Sequence, residues 1–300
     1  MTRRAAPAAG RAAARQQPGA VPVVVGIDTG GTFTDFVAVA ADGIRTHKRL
    51  STPHDPAVAV LDGLAELLGA RRADVVTYGS TVATNALLER KGARVVLLTT
   101  AGFEDVVEIG RQNRPDLYAP VPARPAPLVA AADRIGVAER RLYDGSVLGA
   151  LADEWIARGV LRLQRRRPEA VAVCLLHAHV AGDHERRLGA ALAAVGIPVT
   201  LSHELVGEHR EYERTSTAVV NAYVAPVMQR HLQRLADGLR TPDLRVMQSN
   251  GGAIDAGLAG REAVRTALSG PAAGVIGAWQ AARRLGIERI ITFDMGGTST

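Results

Sequence analysis

Residues 28–35 read DTGGTFTD, and residues 294–300 read DMGGTST. An acid followed by two glycines and a threonine, written twice, constrains the fold more than any other feature. Each copy follows a β-branched apolar run, VPVVVGI before the first and ERIITF before the second, which predicts a buried strand ending in an acid and a tight turn. Gly30 and Gly31, like Gly296 and Gly297, carry no side chains to hold an anion away, and successive amides in such a turn form an anion-binding nest. Thr32 and Thr298 add hydroxyl donors. Asp28 and Asp294 would repel a bare phosphate, so the pattern implies Mg2+ between acid and phosphate, held mainly through water. A plain β-hairpin turn is the competing explanation for either copy alone. Recurrence after a second strand favours phosphate.

Other phosphate signatures are missing. No GxxxxGK[ST] occurs and no GxGxxG opens a helix after a strand, which argues against a P-loop or a dinucleotide fold. The 300 residues suit one large domain or two ordinary ones. Every apolar run is interrupted well short of the roughly 20 residues a membrane span needs. Of the net charge of +6, four charges come from Arg3, Arg4, Arg11 and Arg15 in the acid-free first twenty residues. The remainder shows no basic stripe, so no nucleic-acid partner is expected. Residues 1–20 lack large apolar side chains and are expected to form a disordered tail. The single cysteine, Cys174 in VAVCLL, can make no internal disulfide and reads as a buried strand residue, which suits a reducing, cytoplasmic setting.

Strands are expected at 21–27, 33–40 and 44–50, with Asp42-Gly43 as a hairpin turn. A helix from Pro56 to Leu68 follows, with Asp55 as N-cap. Strand and helix then alternate: DVVTYG, a helix from Val82 to Arg90 closed by Gly92, RVVLLTT, and a helix from Phe103 to Ile109. The Pro-rich stretch 111–133 reads as a long loop. Beyond it come a helix at 154–166, the strand AVAVCLL, a helix at 185–195 and the short strand PVTLS. A long helix at 211–239 follows, broken or bent near Pro226. The strand of LRVMQSNGG precedes a helix begun by Pro271. Such alternation implies a mostly parallel sheet covered by helices.

The strings YGSTVATNALLERKGA, LTTAGFEDVVEIGRQNRP, REYERTSTAVVNAYV, VMQSNGG, LSGPAAG and FDMGGTST together resemble the hydantoinase A/5-oxoprolinase family, from about Val23 to Thr300. The resemblance implies an α/β fold, a ribonuclease H-like lobe with a mixed sheet, as in the actin, heat-shock ATPase and sugar kinase superfamily. Within it, residues 28–35 are the phosphate-1 loop, 269–285 the first interlobe connector helix and 294–300 the phosphate-2 loop. The rest of the second lobe is expected beyond Thr300. The implied division is a tail at 1–20, an N-terminal hydantoinase/oxoprolinase domain at 21–205 and the start of the hydantoinase A/oxoprolinase domain at 206–300.

The cofactors so implied are ATP and Mg2+. Asp28 and Asp294 would hold the metal and act in catalysis, while Gly30, Gly31, Thr32, Gly296, Gly297 and Thr298 cradle phosphates. Asp35 is a candidate for orienting a metal-bound water. The implied activity is ATP-dependent opening of a cyclic amide after phosphoryl activation, in company with a hydantoinase B-type subunit. The alternatives are a subunit of an acetone- or acetophenone-type carboxylase acting on a ketone, or an inactive truncated fragment. A sugar or acid kinase is disfavoured by VMQSNGG and LSGPAAG. With one lobe, the chain alone is expected to bind MgATP weakly or not at all.

One departure stands out. Where the family commonly has HGTT, this chain has Tyr78-Gly79-Ser80-Thr81, and a phenol is a poor proton carrier near neutral pH. His177 and His179, with Asp183 or His184, are a weaker candidate for a metal site, the alternative being strand-end histidines near the surface. The 208–214 charge run reads as a solvated helix face or a substrate-side element. Asn250, Ser269 and Arg111 are candidates to line the cleft.

Overall fold

The computed structural model describes residues 21–113, 116–121, 125–239 and 241–295. The chain opens with three antiparallel strands, β1 (Val24–Thr29), β2 (Phe33–Ala40) and β3 (Gly43–Leu50). Helix α1 (Pro56–Leu68) follows as expected, its first turn capped by Asp55 Oδ1 accepting from Ala57 N at 3.3 Å. Next come β4 (Val75–Ser80), α2 (Val82–Leu88), β5 (Val95–Thr100) and α3 (Val106–Ile109). After the long loop lie β6 (Arg134–Val137), the small hairpin β7 (Arg140–Arg141) and β8 (Val147–Gly149), and α4 (Asp153–Arg166). The chain continues through β9 (Ala170–Cys174), α5 (Asp183–Ala193), β10 (Val199–Leu201), α6 (Ser202–Leu205) and α7 (Glu211–Leu239). It ends with β11 (Asp243–Met247), β12 (Ala253–Asp255), α8 (Ala256–Arg261) and α9 (Ser269–Arg284).

Two sheets organise these elements. The first is mixed, in the order β12-β11-β4-β1-β2-β3, with β1, β4 and β11 parallel and the rest antiparallel. The second, β10-β9-β5-β6, is wholly parallel. Parallel strands are covered on both faces and read as continuous apolar runs. In β5, Val95 and Leu97 face the core shared with the first sheet, whereas Val96 and Leu98 face a second core under α4 and α5. Helix α7 lies in the shared core, burying Ala218, Tyr223, Met228 and Leu235.

Several expectations are corrected. Helix α7 runs unbroken through Pro226, which is itself buried; packing on both sides offsets a helix-interior proline's cost of about 3 kcal/mol. Helix α2 stops at Leu88, and Gly92 is not its terminator. Gly92 instead makes room for Tyr223, since a Cβ there would fall 2.2 Å from the ring. The helix expected from Phe103 is only the single turn of α3. Strands β6, β7 and β8 were not foreseen.

The largest correction concerns ERIITF. Residues 287–295 form no strand, and Ile291 and Phe293 are 99% and 77% exposed. A strand needs a neighbour for its N–H and C=O groups, and the first sheet ends at β12 and β3 without reaching this segment. Gly296, Gly297 and Thr298 lie outside the described residues, as does the expected tail at 1–20.

Candidate functional site

Alternation along β1 sends Val25, Ile27 and Thr29 into the core and leaves Asp28 on the opposite face of the sheet. There Asp28 lies across from Asp35 of β2 and beside Gly79 of β4. A Cβ on Gly79 would stand 3.0 Å from Asp28 Oδ1, and one on Gly270 in the first turn of α9 would stand 3.8 Å away. Two side-chain-free positions from separate elements thus close around one carboxylate. Asp28 is open to solvent on one side, yet its surroundings are dense enough that burial is the first cause holding its carboxyl above the usual range. The charges of Asp35 and Asp294 add to that rise. Asp35 itself is paired with Lys48 at 2.8 Å.

The Gly-Gly turn joins β1 to β2, so the first acid-Gly-Gly-Thr loop is a hairpin. Hairpin and phosphate readings are therefore compatible rather than rival. Gly30 donates its N–H to Phe33 O at 2.9 Å, closing the turn, and its carbonyl accepts from Ser51 Oγ at 2.8 Å. Among the described residues no backbone carbonyl takes the amides of Gly31 or Thr32, which leaves these two at the tip to meet an anion.

No group of three or more His, Cys, Asp or Glu side chains among the described residues is arranged to hold a metal ion. The donor chemistry at Asp28 nevertheless fits a hard, hydrated cation. Its neighbours are carboxylates whose mutual repulsion a divalent ion would relieve, and Mg2+ retains several waters instead of demanding a full set of side chains.

Beneath the sheet the chemistry is of another kind. The Tyr78 hydroxyl and His231 Nε2 of α7 are 2.8 Å apart and buried. Burial pushes the phenol up to about 12 and the imidazole down to about 4. Tyr78 therefore couples β4 to α7 as a neutral hydrogen-bonded pair. Cys174 is buried in the shared core, and burial pushes its thiol up to about 11, which removes it as a nucleophile.

The remaining candidates scatter. Arg111 pairs with Glu213 at 2.6 Å beside the second sheet. Asn250 Oδ1 accepts from Gly252 N at 2.9 Å within its own turn. Ser269 is buried, its Oγ reaching Ser80 O at 3.4 Å. Strand β9 ends at Cys174, so His177 and His179 lie beyond it, His177 in a turn with φ 56. Asp183 pairs with Arg141, and His184 with Glu139 at 2.8 Å, so the proposed metal set is not assembled. In the 208–214 run, Arg214 is wholly buried. Gly79 and Gly270 were missed as site residues, although both stand in YGST and LSGPAAG; only the pairing of β4 with β1 and the path of α9 bring them to Asp28.

Residues 24–196 match the hydantoinase/oxoprolinase N-terminal region and residues 214–300 match hydantoinase/oxoprolinase. The chain is 36% identical over 294 residues to the caprolactamase subunit alpha of Pseudomonas jessenii, covering 92% of this chain and 42% of that subunit. It is 34% identical over 317 residues to 5-oxoprolinase 1 of Arabidopsis thaliana, covering 91% of this chain and 25% of that protein. Its structure superposes on nucleotide-free acetone carboxylase with a TM-score of 0.77 at 29% identity, covering 89% of this chain and 41% of that one. The chain thus spans well under half the length of these relatives. Its fold is the ribonuclease H-like ATPase lobe expected from the motifs, and no helix among the described residues is long and apolar enough to cross a membrane. The chain belongs to the hydantoinase/oxoprolinase family.

Proposed function

We propose that this chain supplies the phosphate-1 side of an ATP- and Mg2+-dependent site that activates a small cyclic amide for ring opening, as part of a hydrolase subunit working with a hydantoinase B-type partner. The observation that carries the reading is Asp28. A carboxylate with a raised pKa stands at the end of a parallel strand, beside a side-chain-free turn and near Asp35 and Asp294. The relatives support ATP use by name, one being an ATP-dependent caprolactamase.

In this reading the tip amides of Gly31 and Thr32 take phosphate oxygens, with Gly296, Gly297 and Thr298 as their counterparts on the second loop. Asp28 and Asp294 would hold Mg2+ through its waters, with Asp35 orienting one of them. When bound, the ion supplies charge neutralisation for the phosphates. Gly79 and Gly270 keep the approach to Asp28 clear. Phosphorylating an amide oxygen makes the amide carbon electrophilic enough for water to add to it, after which the ring C–N bond breaks and the phosphate leaves as inorganic phosphate, so positioning is what these residues contribute. The likeness to acetone carboxylase favours a second reading, a carboxylase subunit that activates a ketone in the same way.

The test is thermal unfolding of the chain with millimolar ATP, Mg2+, or both. The midpoint should rise only when both are present, and Asp28→Asn should abolish the rise. An equal rise in the variant, or a rise with ATP or Mg2+ alone, sinks the proposal.

A further inference from the structure

The hairpin has a second side. Behind Gly30 and Gly31, on the face of the first sheet opposite Asp28, lies a cavity of about 500 Å³ walled by the hairpin, the 51–56 loop, α2 and α7. Its position at the carboxyl ends of the parallel strands β1 and β4 is where open α/β sheets take ligands. Val82, Ala86 and Val227 give it an apolar wall. Thr81 and Asn85 add polar groups, Thr81 Oγ1 donating to Thr29 O at 3.2 Å and Asn85 Nδ2 to Thr81 Oγ1 at 3.3 Å, while Asn85 Oδ1 accepts no hydrogen bond among the described residues.

The charges lining it are unequal. Asp55 is taken by Arg234, and Glu89 by Lys91 at 2.7 Å. Arg230 also lines the cavity and has no carboxylate partner among the described residues. His231 lies at the inner end, neutral and bonded to Tyr78. The cavity therefore offers one uncompensated guanidinium at its rim, an amide oxygen and an apolar wall. Arg suits a carboxylate better than any other side chain, through paired charge-assisted hydrogen bonds.

We propose that this cavity is a binding site for a small organic carboxylate with a compact apolar body, back to back with the phosphate hairpin and held through Arg230. The site goes beyond the nucleotide reading: Gly31 borders both, but the cavity lies on the α7 face of the sheet and Asp28 on the other.

The experiment is a titration of the chain, followed by NMR chemical shifts, with three probes. These are 5-oxoproline, which has ring and carboxylate; 2-pyrrolidinone, the same ring without carboxylate; and inorganic phosphate, an anion without an apolar body. 5-Oxoproline should bind about tenfold or more tightly than either of the others, the scale of one charge-assisted contact. Arg230→Gln, an exposed substitution, should bring it to the level of 2-pyrrolidinone, while Arg158→Gln on α4 should change nothing. Equal affinity for 5-oxoproline and 2-pyrrolidinone, stronger binding of phosphate, or an unchanged Arg230→Gln variant each overturns the proposal. The Asp28→Asn variant separates the two sites: it should keep the 5-oxoproline response while losing the response to ATP with Mg2+.

Discussion

The two sheets end differently at their carboxyl edges, and the contrast separates site from scaffold. At the end of β1 the carboxylate of Asp28 meets other carboxylates and two glycines, and its charged form is disfavoured. At the ends of β5, β9 and β10 the polar groups satisfy one another. Glu185, fully buried, accepts from Leu175 N at 2.8 Å, Ser202 Oγ at 2.7 Å and His203 Nδ1 at 2.7 Å. Arg214, also fully buried, donates to Leu175 O at 2.7 Å, Glu208 O at 2.9 Å and Ser202 Oγ at 3.1 Å, and pairs with Glu211. Thr100 bridges Leu176 N, at 2.9 Å, to Glu139, which also holds His184. A satisfied network fixes geometry. An unsatisfied carboxylate is a place where an ion or ligand can lower the energy.

Removing the centre of the locked edge should have the largest effect. Arg214→Met keeps much of the side chain's length but strips donors from buried carbonyls, and breaking such a buried ionic centre costs about 3–5 kcal/mol. Urea unfolding measures this. A loss below about 1 kcal/mol, the worth of a surface ion pair, would mean that the second edge is no more locked than the first.

Next comes acid. His231 has its folded-state pKa held at about 4, below the usual 6.5, by burial first, with Arg234 opposing its charge and Asp55 favouring it. As pH falls from 6.5 toward 4 the unfolded chain takes up a proton that the folded chain refuses. Stability should therefore be full above 6.5 and decline across that window, by on the order of 3 kcal/mol. His231→Gln should flatten this part of the profile; an unchanged slope would assign it to other groups.

Tyr78→Phe is a smaller change to the same pair. It keeps the ring and removes only the hydroxyl, leaving His231 Nε2 without its partner. A buried unsatisfied group costs about 1–3 kcal/mol. If Tyr78 were a proton carrier instead of a strut between β4 and α7, the variant would lose activity with no such loss of stability.

Which parts could be read from the chain follows the range of the forces involved. Strands β2 and β3 and helix α1 rest on local signals, Asp42-Gly43 at the turn and Asp55-Pro56 at the cap, and they form where expected. Asp28 and the Gly-Gly turn were readable for the same reason, as a short pattern at a strand end. Gly79 and Gly270 become site residues only through contacts across the sheet and from α9. The Asp144-Gly145 turn between β7 and β8 was a local signal passed over beside the proline-rich loop. ERIITF has strand composition but pairs with no strand among the described residues. The Arg214 network links residues far apart in sequence, so the 208–214 charge run looked like an exposed helix face.

The smallest and most discriminating effect concerns Asp28 itself. For an acid whose folded pKa is raised, both states are protonated well below 3.8. As pH climbs above 3.8, the unfolded chain loses its proton first, so folding loses stability until the folded-state pKa is passed. Asp28→Asn removes that loss. The variant should match the parent in strong acid and exceed it in thermal midpoint near neutral pH, with the difference opening between those limits. Mg2+ with ATP should act in the opposite sense, raising the parent and leaving the variant where it was. A variant less stable than its parent at neutral pH would mean that Asp28 is held by favourable contacts, as Arg214 is, and the distinction between an open edge and a locked one would fail at its main residue.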